Sequence, residues 1–148
     1  MSGRQQMQEL SEQLEALESE RESLEEEVED LRDEQTEIDE AIDAVETLET
    51  GSTVQVPLGG GAYARAEIAD IDEVIVELGG GYAAERTQDG AAETLESRKE
   101  TVGERIEDVQ SQITEIETEI EELSQKARQL QQQQMQQQMQ QLQQQDDE

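Results

Sequence analysis

The chain has 148 residues, of which 40 are acidic and 10 basic, giving a formal net charge of -30. A surface this acidic repels the phosphates of nucleic acids and of anionic lipids, so we expect neither as a partner. Because the sequence contains no Cys and no His, disulfides, thiolate metal sites, cysteine nucleophiles and histidine bases are excluded.

The acidity has three competing interpretations. Disorder is one, but regular apolar spacing over most of the chain argues against it. Recruitment of a basic partner is the second. The third is a cytoplasm of very high salt, in which charge repulsion is screened over short distances. We favour the third, because Lys99 and Lys126 are the only lysines and Arg supplies the other cations.

The first predicted element is a long helix from Met7 to about Leu48, after a frayed lead-in. Its apolar residues recur in alternating steps of three and four, broken only by Arg21 and Gln35. This 3.5-residue period is typical of a coiled-coil seam. Gly51 is a candidate for the C′ residue that ends the helix.

The segment that follows has the period of two expected of half-buried strands. Four short strands are predicted, joined into two hairpins by Gly59–Gly61 and Gly79–Gly81, since glycine supplies the positive φ values of short loops. Pro57 has no N–H group and therefore needs an edge position.

Isolated hairpins are marginally stable in water, and their edges are open. We therefore expect several copies, or copies with a related subunit, to join their hairpins into a larger sheet or barrel. The residues expected at this contact are apolar or aromatic: Val54, Val56, Leu58, Tyr63, Ile68, Val74, Val76, Leu78 and Tyr82.

A second helix is predicted from about residue 89 through Leu130, with heptad spacing broken only at Lys99. The nearest partner for each seam is the other, in antiparallel orientation. That register places Lys99 near Glu40 and Arg21 opposite Ile116–Ile120. Ion pairs of these cations with flanking glutamates would fix the register, whereas snorkelling into solvent is the alternative.

The tail holds twelve Gln between residues 131 and 145, interrupted by Met135, Met139 and Leu142. Such a composition is typical of a partly disordered, low-complexity extension. In a helix, however, the steps of four and three would place these three apolar residues on one face. Methionine is flexible and suits contact with apolar partners of varied shape.

These elements predict an α+β fold, in which a long antiparallel two-helix coiled coil is joined by two β-hairpins that oligomerise into a β-barrel-like platform. The expected parts are an N-terminal coiled-coil helix (1–50), the hairpins (51–88), a C-terminal coiled-coil helix (89–130) and a Gln/Met-rich acidic tail (131–148).

No catalytic, cofactor or metal site is expected. The glycine triplets lack the Lys-Ser/Thr of a phosphate-binding loop, and Asp70, Asp72 and Glu73 lack EF-hand spacing and are interpreted as turn residues. The glutamates are interpreted as a solvated helix face. Because no leader and no apolar run of membrane length is present, we expect a soluble, cytoplasmic protein. Since no catalytic site is expected, we do not expect an enzyme.

The most specific stretch of the chain lies in its centre and comprises Val56-Pro57-Leu58-Gly59-Gly60-Gly61-Ala62-Tyr63, Ala66-Glu67-Ile68, Asp70, Val74–Val76, Gly79–Gly81 and Glu85. It resembles the α-subunit family of archaeal prefoldins, and the acidity points to a halophile. The resemblance covers nearly the full length, and two hairpins favour the α type over the β type. Tyr63 stands where Phe is more usual, and Ala83 and Ala84 stand where larger aliphatics are common.

The resemblance implies a chaperone that works without ATP or another cofactor. Two α and four β subunits would form a hexamer, capture unfolded polypeptides at the free ends of the coiled coils and transfer them to a group II chaperonin. The candidate binding residues at those ends are Met1, Met7, Leu10, Leu130, Met135, Met139 and Leu142. The alternative is a structural coiled-coil scaffold oligomerised through its hairpins.

The interpretation of the acidity as an adaptation to salt predicts salt-dependent folding. Helicity measured by circular dichroism should rise between dilute buffer and molar KCl, because salt shortens the range of carboxylate repulsion to about 3 Å at 1 M. Helicity that does not change with KCl would contradict the interpretation.

Overall fold

The computed structural model describes residues 3–146, apart from the side chain of Asp146, and contains two helices and four strands. In chain order these are α1 (Gly3–Thr47), β1 (Thr53–Gly59), β2 (Ala62–Glu67), β3 (Val74–Gly79), β4 (Tyr82–Arg86) and α2 (Gln88–Asp146). The described residues form two compact units, one of residues 30–106 and one of the outer parts of both helices.

Both helices are longer than the sequence predicted. The helix α1 starts at Gly3, so the expected frayed lead-in up to Gln6 is helical from that residue. The helix α2 continues through the glutamine-rich segment to Asp146, so residues 131–146 are helical and the prediction of a disordered extension is wrong. Within residues 3–146, neither helix has a stretch long and apolar enough to cross a membrane.

In the unit of residues 30–106, the two helices pack through an aliphatic seam and charged flanks. The Nζ atom of Lys99 lies 2.7 Å from Oδ1 of Asp39, next to the expected position near Glu40. This hydrogen bond raises the pKa of Lys99. The buried apolar residues of the unit are Ile38, Ile42, Val76, Ala91, Leu95, Val102 and Ile106.

Two polar breaks in the heptads meet each other in this unit. The Nε2 atom of Gln35 donates a hydrogen bond to the carbonyl oxygen of Lys99 at 3.4 Å. The polar residue that interrupts one seam therefore contacts the polar residue that interrupts the other. This contact favours the observed register, because a shift of one helix along the other would separate the two groups.

The C-terminal end of α1 is capped by a side chain from α2. The Nε2 atom of Gln88 donates to the carbonyl oxygens of Val45 at 2.8 Å and Leu48 at 2.9 Å, which the last turn of a helix leaves without partners. Gly51, the expected C′ residue, has a φ of 91°. Its N–H donates to the carbonyl of Ile68 instead, so the prediction of its capping role is wrong.

The four strands form two separate antiparallel hairpins, β1–β2 and β3–β4. In each hairpin the register shifts just before the loop, between Pro57 and Gly59 and between Glu77 and Gly79. Gly60 has a φ of 59° and Gly61 a φ of 83°, the positive values that a two-residue type I′ loop requires. The glycine triplets are therefore hairpin loops, as predicted.

Short side chains connect the hairpins to the start of α2. Oδ1 of Asp70 accepts a hydrogen bond from the N–H of Asp72, and Oδ1 of Asp72 accepts one from the N–H of Gln88. Oγ1 of Thr87 accepts from the N–H of Gly90 at 3.1 Å, so Thr87 is the N-cap of α2. The predicted role of the aspartates in the turn is confirmed.

The unit formed by the outer parts of the helices is held by a second stretch of the seam. Leu10, Val28 and Ile116 are buried, and Val109 is completely inaccessible to solvent. Arg21 pairs with Glu25 of its own helix, with 4.0 Å between Nε and Oε1. No ion pair of Arg21 with α2 is found among residues 3–146, so of the two interpretations of this break, an ion pair that fixes the register is not the one observed.

Replacing Val109 with Ala should lower the free energy of unfolding by about 2 kcal/mol, because it removes two buried methyl groups and leaves a cavity. Urea denaturation followed by circular dichroism measures the change. The control is Met139→Ala, whose side chain is 65% exposed and whose loss should change stability by less than about 0.5 kcal/mol. Equal effects of the two substitutions would contradict the observed seam.

Candidate assembly and polypeptide-binding surfaces

Large apolar side chains remain exposed in only two parts of the described chain. One group lies on the hairpins and the other near the end of α2. Soluble monomers rarely leave large contiguous apolar patches uncovered, and such patches commonly contact partners. These two groups are therefore the candidate functional surfaces.

The first group is the hairpin surface. Two aromatic rings lie on it, Tyr63 at 63% and Tyr82 at 75% exposure. Both follow the glycine loops, and Leu58 and Leu78 precede them at the two register shifts. The hairpin surface comprises Val56, Leu58, Tyr63, Ile75, Leu78 and Tyr82.

Five of the nine predicted assembly residues belong to the hairpin surface. Of the other four, Val76 is only 5% exposed and belongs to the core of the chain, and Val54, Ile68 and Val74 are half-buried. Sequence reasoning missed Ile75, which is 77% exposed. The run Val74-Ile75-Val76 contained the signal, because a strand that is apolar at consecutive positions presents apolar side chains on both faces.

Every strand is also an edge strand. Each sheet has only two strands, so one side of each strand presents N–H and C=O groups without a ladder partner in the described chain. Pro57 accordingly lies in an edge strand, as its missing N–H requires. Open edges beside exposed Leu and Tyr side chains fit addition of strands from another subunit.

The second group is the methionine stripe, defined as Met135, Met139 and Leu142. Their exposed fractions are 64%, 65% and 63%. The three residues follow one another at steps of four and three along α2, so they share one helix face. The stripe is helical, which agrees with the interpretation of the tail as a helix and not with its interpretation as a partly disordered extension.

The methionine stripe does not continue the seam, and it lies in a part of α2 where residues 135–145 are all exposed. Continuing the seam of α2 beyond Leu130 in steps of four and three leads to Gln134, Gln137 and Gln141. Those glutamines, with Gln138, line a shallow hollow together with Gly3 and Arg4 of α1.

Gly3 lies so close to the side chain of Gln134 that a Cβ atom there would overlap it. Met135 and Leu142 each follow a seam position by one residue, about 100° around the helix, and Met139 follows Gln137 by two. None of the three stripe residues lines the hollow with Gly3 and Arg4, and their exposed apolar surface is available to another molecule.

The other candidate binding residues have different environments. Leu10 is 7% exposed and packs in the seam, while Met7 and Leu130 are half-buried. Leu10, Leu130, Gln6 and Lys126 line a small hollow between the helices. Met1 lies outside the described residues. Of the seven candidates, the methionine stripe thus provides the accessible apolar area.

The fold defines a class of protein, the coiled-coil proteins whose two long helices are joined by β-hairpins. A family model described as "Prefoldin subunit" matches residues 17–133. The chain belongs to the prefoldin family, which confirms the resemblance seen in the sequence.

Related chains carry the name prefoldin subunit alpha. The protein of that name from Haloarcula marismortui is 74% identical over 61 residues, which cover 41% of this chain and 40% of the relative. The one from Halorubrum lacusprofundi is 64% identical over 93 residues, covering 63% and 61%. A relative from Halobacterium salinarum is 68% identical over 96 residues, covering 65% and 62%. The matches thus span about two fifths to three fifths of these relatives.

The fold also matches a cryo-EM structure of filamentous PFD from Methanocaldococcus jannaschii. The TM-score is 0.52 at 25% identity, and the match covers 79% of this chain and 93% of the other. Two long helices joined by two hairpins are therefore the prefoldin fold, as predicted, and no closed barrel forms within residues 3–146.

The hairpin surface predicts the effect of a double substitution, Leu58→Asp with Tyr82→Asp. Association through the hairpins should weaken by at least about a hundredfold, because each substitution removes roughly 1.5–3 kcal/mol of apolar burial. Native mass spectrometry of the chain, alone and mixed with a second prefoldin subunit, measures the complexes. Ser19→Asp with Gln110→Asp adds the same charge at exposed helix positions and should leave assembly intact. Unchanged complexes in the hairpin variant would contradict this role.

Proposed function

We propose that the chain is a subunit of an ATP-independent chaperone that captures unfolded polypeptides on the methionine stripe. The observation that carries the proposal is the exposure of the stripe, since its three large apolar side chains are each more than 60% exposed and share one helix face. Methionine adapts to apolar partners of different shape, which suits a surface that must accept many sequences.

Assembly is the second part of the proposal. The hairpin surface and the open strand edges would join this chain to prefoldin β subunits, in a hexamer of two α and four β chains in the cytoplasm. Several methionine stripes held in one complex would bind a polypeptide more tightly than one stripe does, while each contact stays quickly reversible. Such reversible contacts fit transfer of the polypeptide to a group II chaperonin.

The competing proposal is a structural scaffold that uses its hairpins only to oligomerise. It accounts for the hairpin surface equally well. It gives no role to exposed Met135, Met139 and Leu142, whose solvent exposure is unfavourable for a protein that contacts nothing there. The methionine stripe therefore favours the chaperone.

The triple substitution Met135→Gln, Met139→Gln and Leu142→Gln tests the proposal. It should reduce suppression of the aggregation of a denatured test protein several-fold, measured by light scattering, without changing helicity. Gln and Met have similar helix propensity, so α2 should remain intact.

The matched control replaces three exposed glutamines of the same helix segment, Gln133→Ala, Gln136→Ala and Gln140→Ala. This control should retain full activity. A stripe variant as active as the unmodified chain would contradict binding at the stripe, and an unmodified chain that suppresses no aggregation would favour the scaffold.

A further inference from the structure

The charge of the chain is unevenly distributed along the helices. All acidic residues except Asp146, Asp147 and Glu148 lie between Glu9 and Glu122. The segments before and after, residues 3–8 of α1 and 123–145 of α2, contain no carboxylate side chain. We call these two segments the acid-free end; both belong to the same compact unit.

The acid-free end carries three cations. Arg4, Lys126 and Arg128 are exposed, and no ion pair of theirs is found among residues 3–146. Lys126 lines the hollow with Leu10 and Leu130, and Arg4 lines the hollow with the seam glutamines next to the methionine stripe. Positive charge and the exposed side chains of the methionine stripe therefore both belong to the acid-free end.

We infer that the acid-free end selects unfolded polypeptides of net negative charge. This inference rests on the proposed function and names its substrate class. An acidic polypeptide is repelled by the carboxylates along the rest of both helices, but at the acid-free end it meets apolar side chains, neutral glutamines and three cations. Charge complementarity of this kind adds to the attraction and excludes contact elsewhere on the surface.

The test uses three labelled synthetic unfolded polypeptides with identical apolar residues. Their charged positions are all Glu, all Lys or all Gln. Binding to the full chain is measured by fluorescence anisotropy, starting at the lowest KCl concentration that preserves helicity. The variant is Arg4→Gln with Lys126→Gln and Arg128→Gln.

The variant should bind the Glu polypeptide roughly three- to tenfold more weakly, as expected for three exposed charge contacts. It should bind the Gln polypeptide unchanged and the Lys polypeptide equally or more tightly. The difference for the Glu polypeptide should shrink as KCl rises, because screening shortens the reach of the charges.

The matched control has the same net charge as the variant but leaves the acid-free end intact. It is Ser19→Glu with Gln110→Glu and Gln112→Glu, at exposed positions of the same unit. It should weaken binding of the Glu polypeptide much less than the variant does. An equal loss in control and variant would show that only net charge matters, and would overturn the inference.

The two proposals fail in different ways. Unchanged binding of the Glu polypeptide by the variant overturns selection of acidic polypeptides, even if the methionine stripe still binds the Gln polypeptide. If the unmodified chain binds none of the three polypeptides, the proposed chaperone function fails, and the inference fails with it.

Discussion

The pairing of two aliphatic seams is the interaction on which the rest of the structure depends. Apart from the methionine stripe, neither helix has a second apolar face within residues 3–146, and the chain has no Phe or Trp with which to build a thicker core. Burial is therefore limited to one narrow line, represented by residues such as Leu95 and Val109. An apolar residue that does not fall on this line stays in solvent unless another molecule covers it. Exposure of apolar side chains therefore identifies the candidate surfaces.

The same constraint explains how the hairpins are held. They cannot bury a core of their own, since Val76 is the only buried residue of their four strands. Their attachment relies on polar connections instead. Gln88 caps the end of α1, and Gly51 and Ser52 exchange backbone hydrogen bonds with Ile68. These connections fix where each hairpin starts and leave its strand edges free for partners.

Much of this architecture could be predicted from the sequence, because it follows from periodicity and glycine placement. The heptads located both helices, and the glycine triplets located both loops. The cap of α1 could not be predicted, since Gln88 is 40 residues from Leu48 and glutamine is no recognised C-cap. Gly51 follows the end of α1, as a C′ glycine does, but its N–H donates to the carbonyl of Ile68 and does not cap the helix.

The candidate site was predicted in part. The spacing of Met135, Met139 and Leu142 was visible, but the low complexity around them favoured disorder over a helix. The exposure of Ile75 was missed because only the alternate residues Val74 and Val76 of this strand were predicted to contact a partner. Leu10 is buried because it contacts α2. The sequence could not separate Leu10 from the exposed stripe residues, since all of them are apolar and lie near a helix end.

The offset between seam and stripe makes the length of the glutamine run important. Four glutamines separate Leu130 from Met135. A run one glutamine shorter would rotate the stripe by about 100° and bring its side chains to positions 134, 138 and 141, which line the hollow beside Gly3 and Arg4. A repetitive segment, whose individual residues are interchangeable, would thus act as a spacer whose length determines which face of α2 the three apolar side chains occupy.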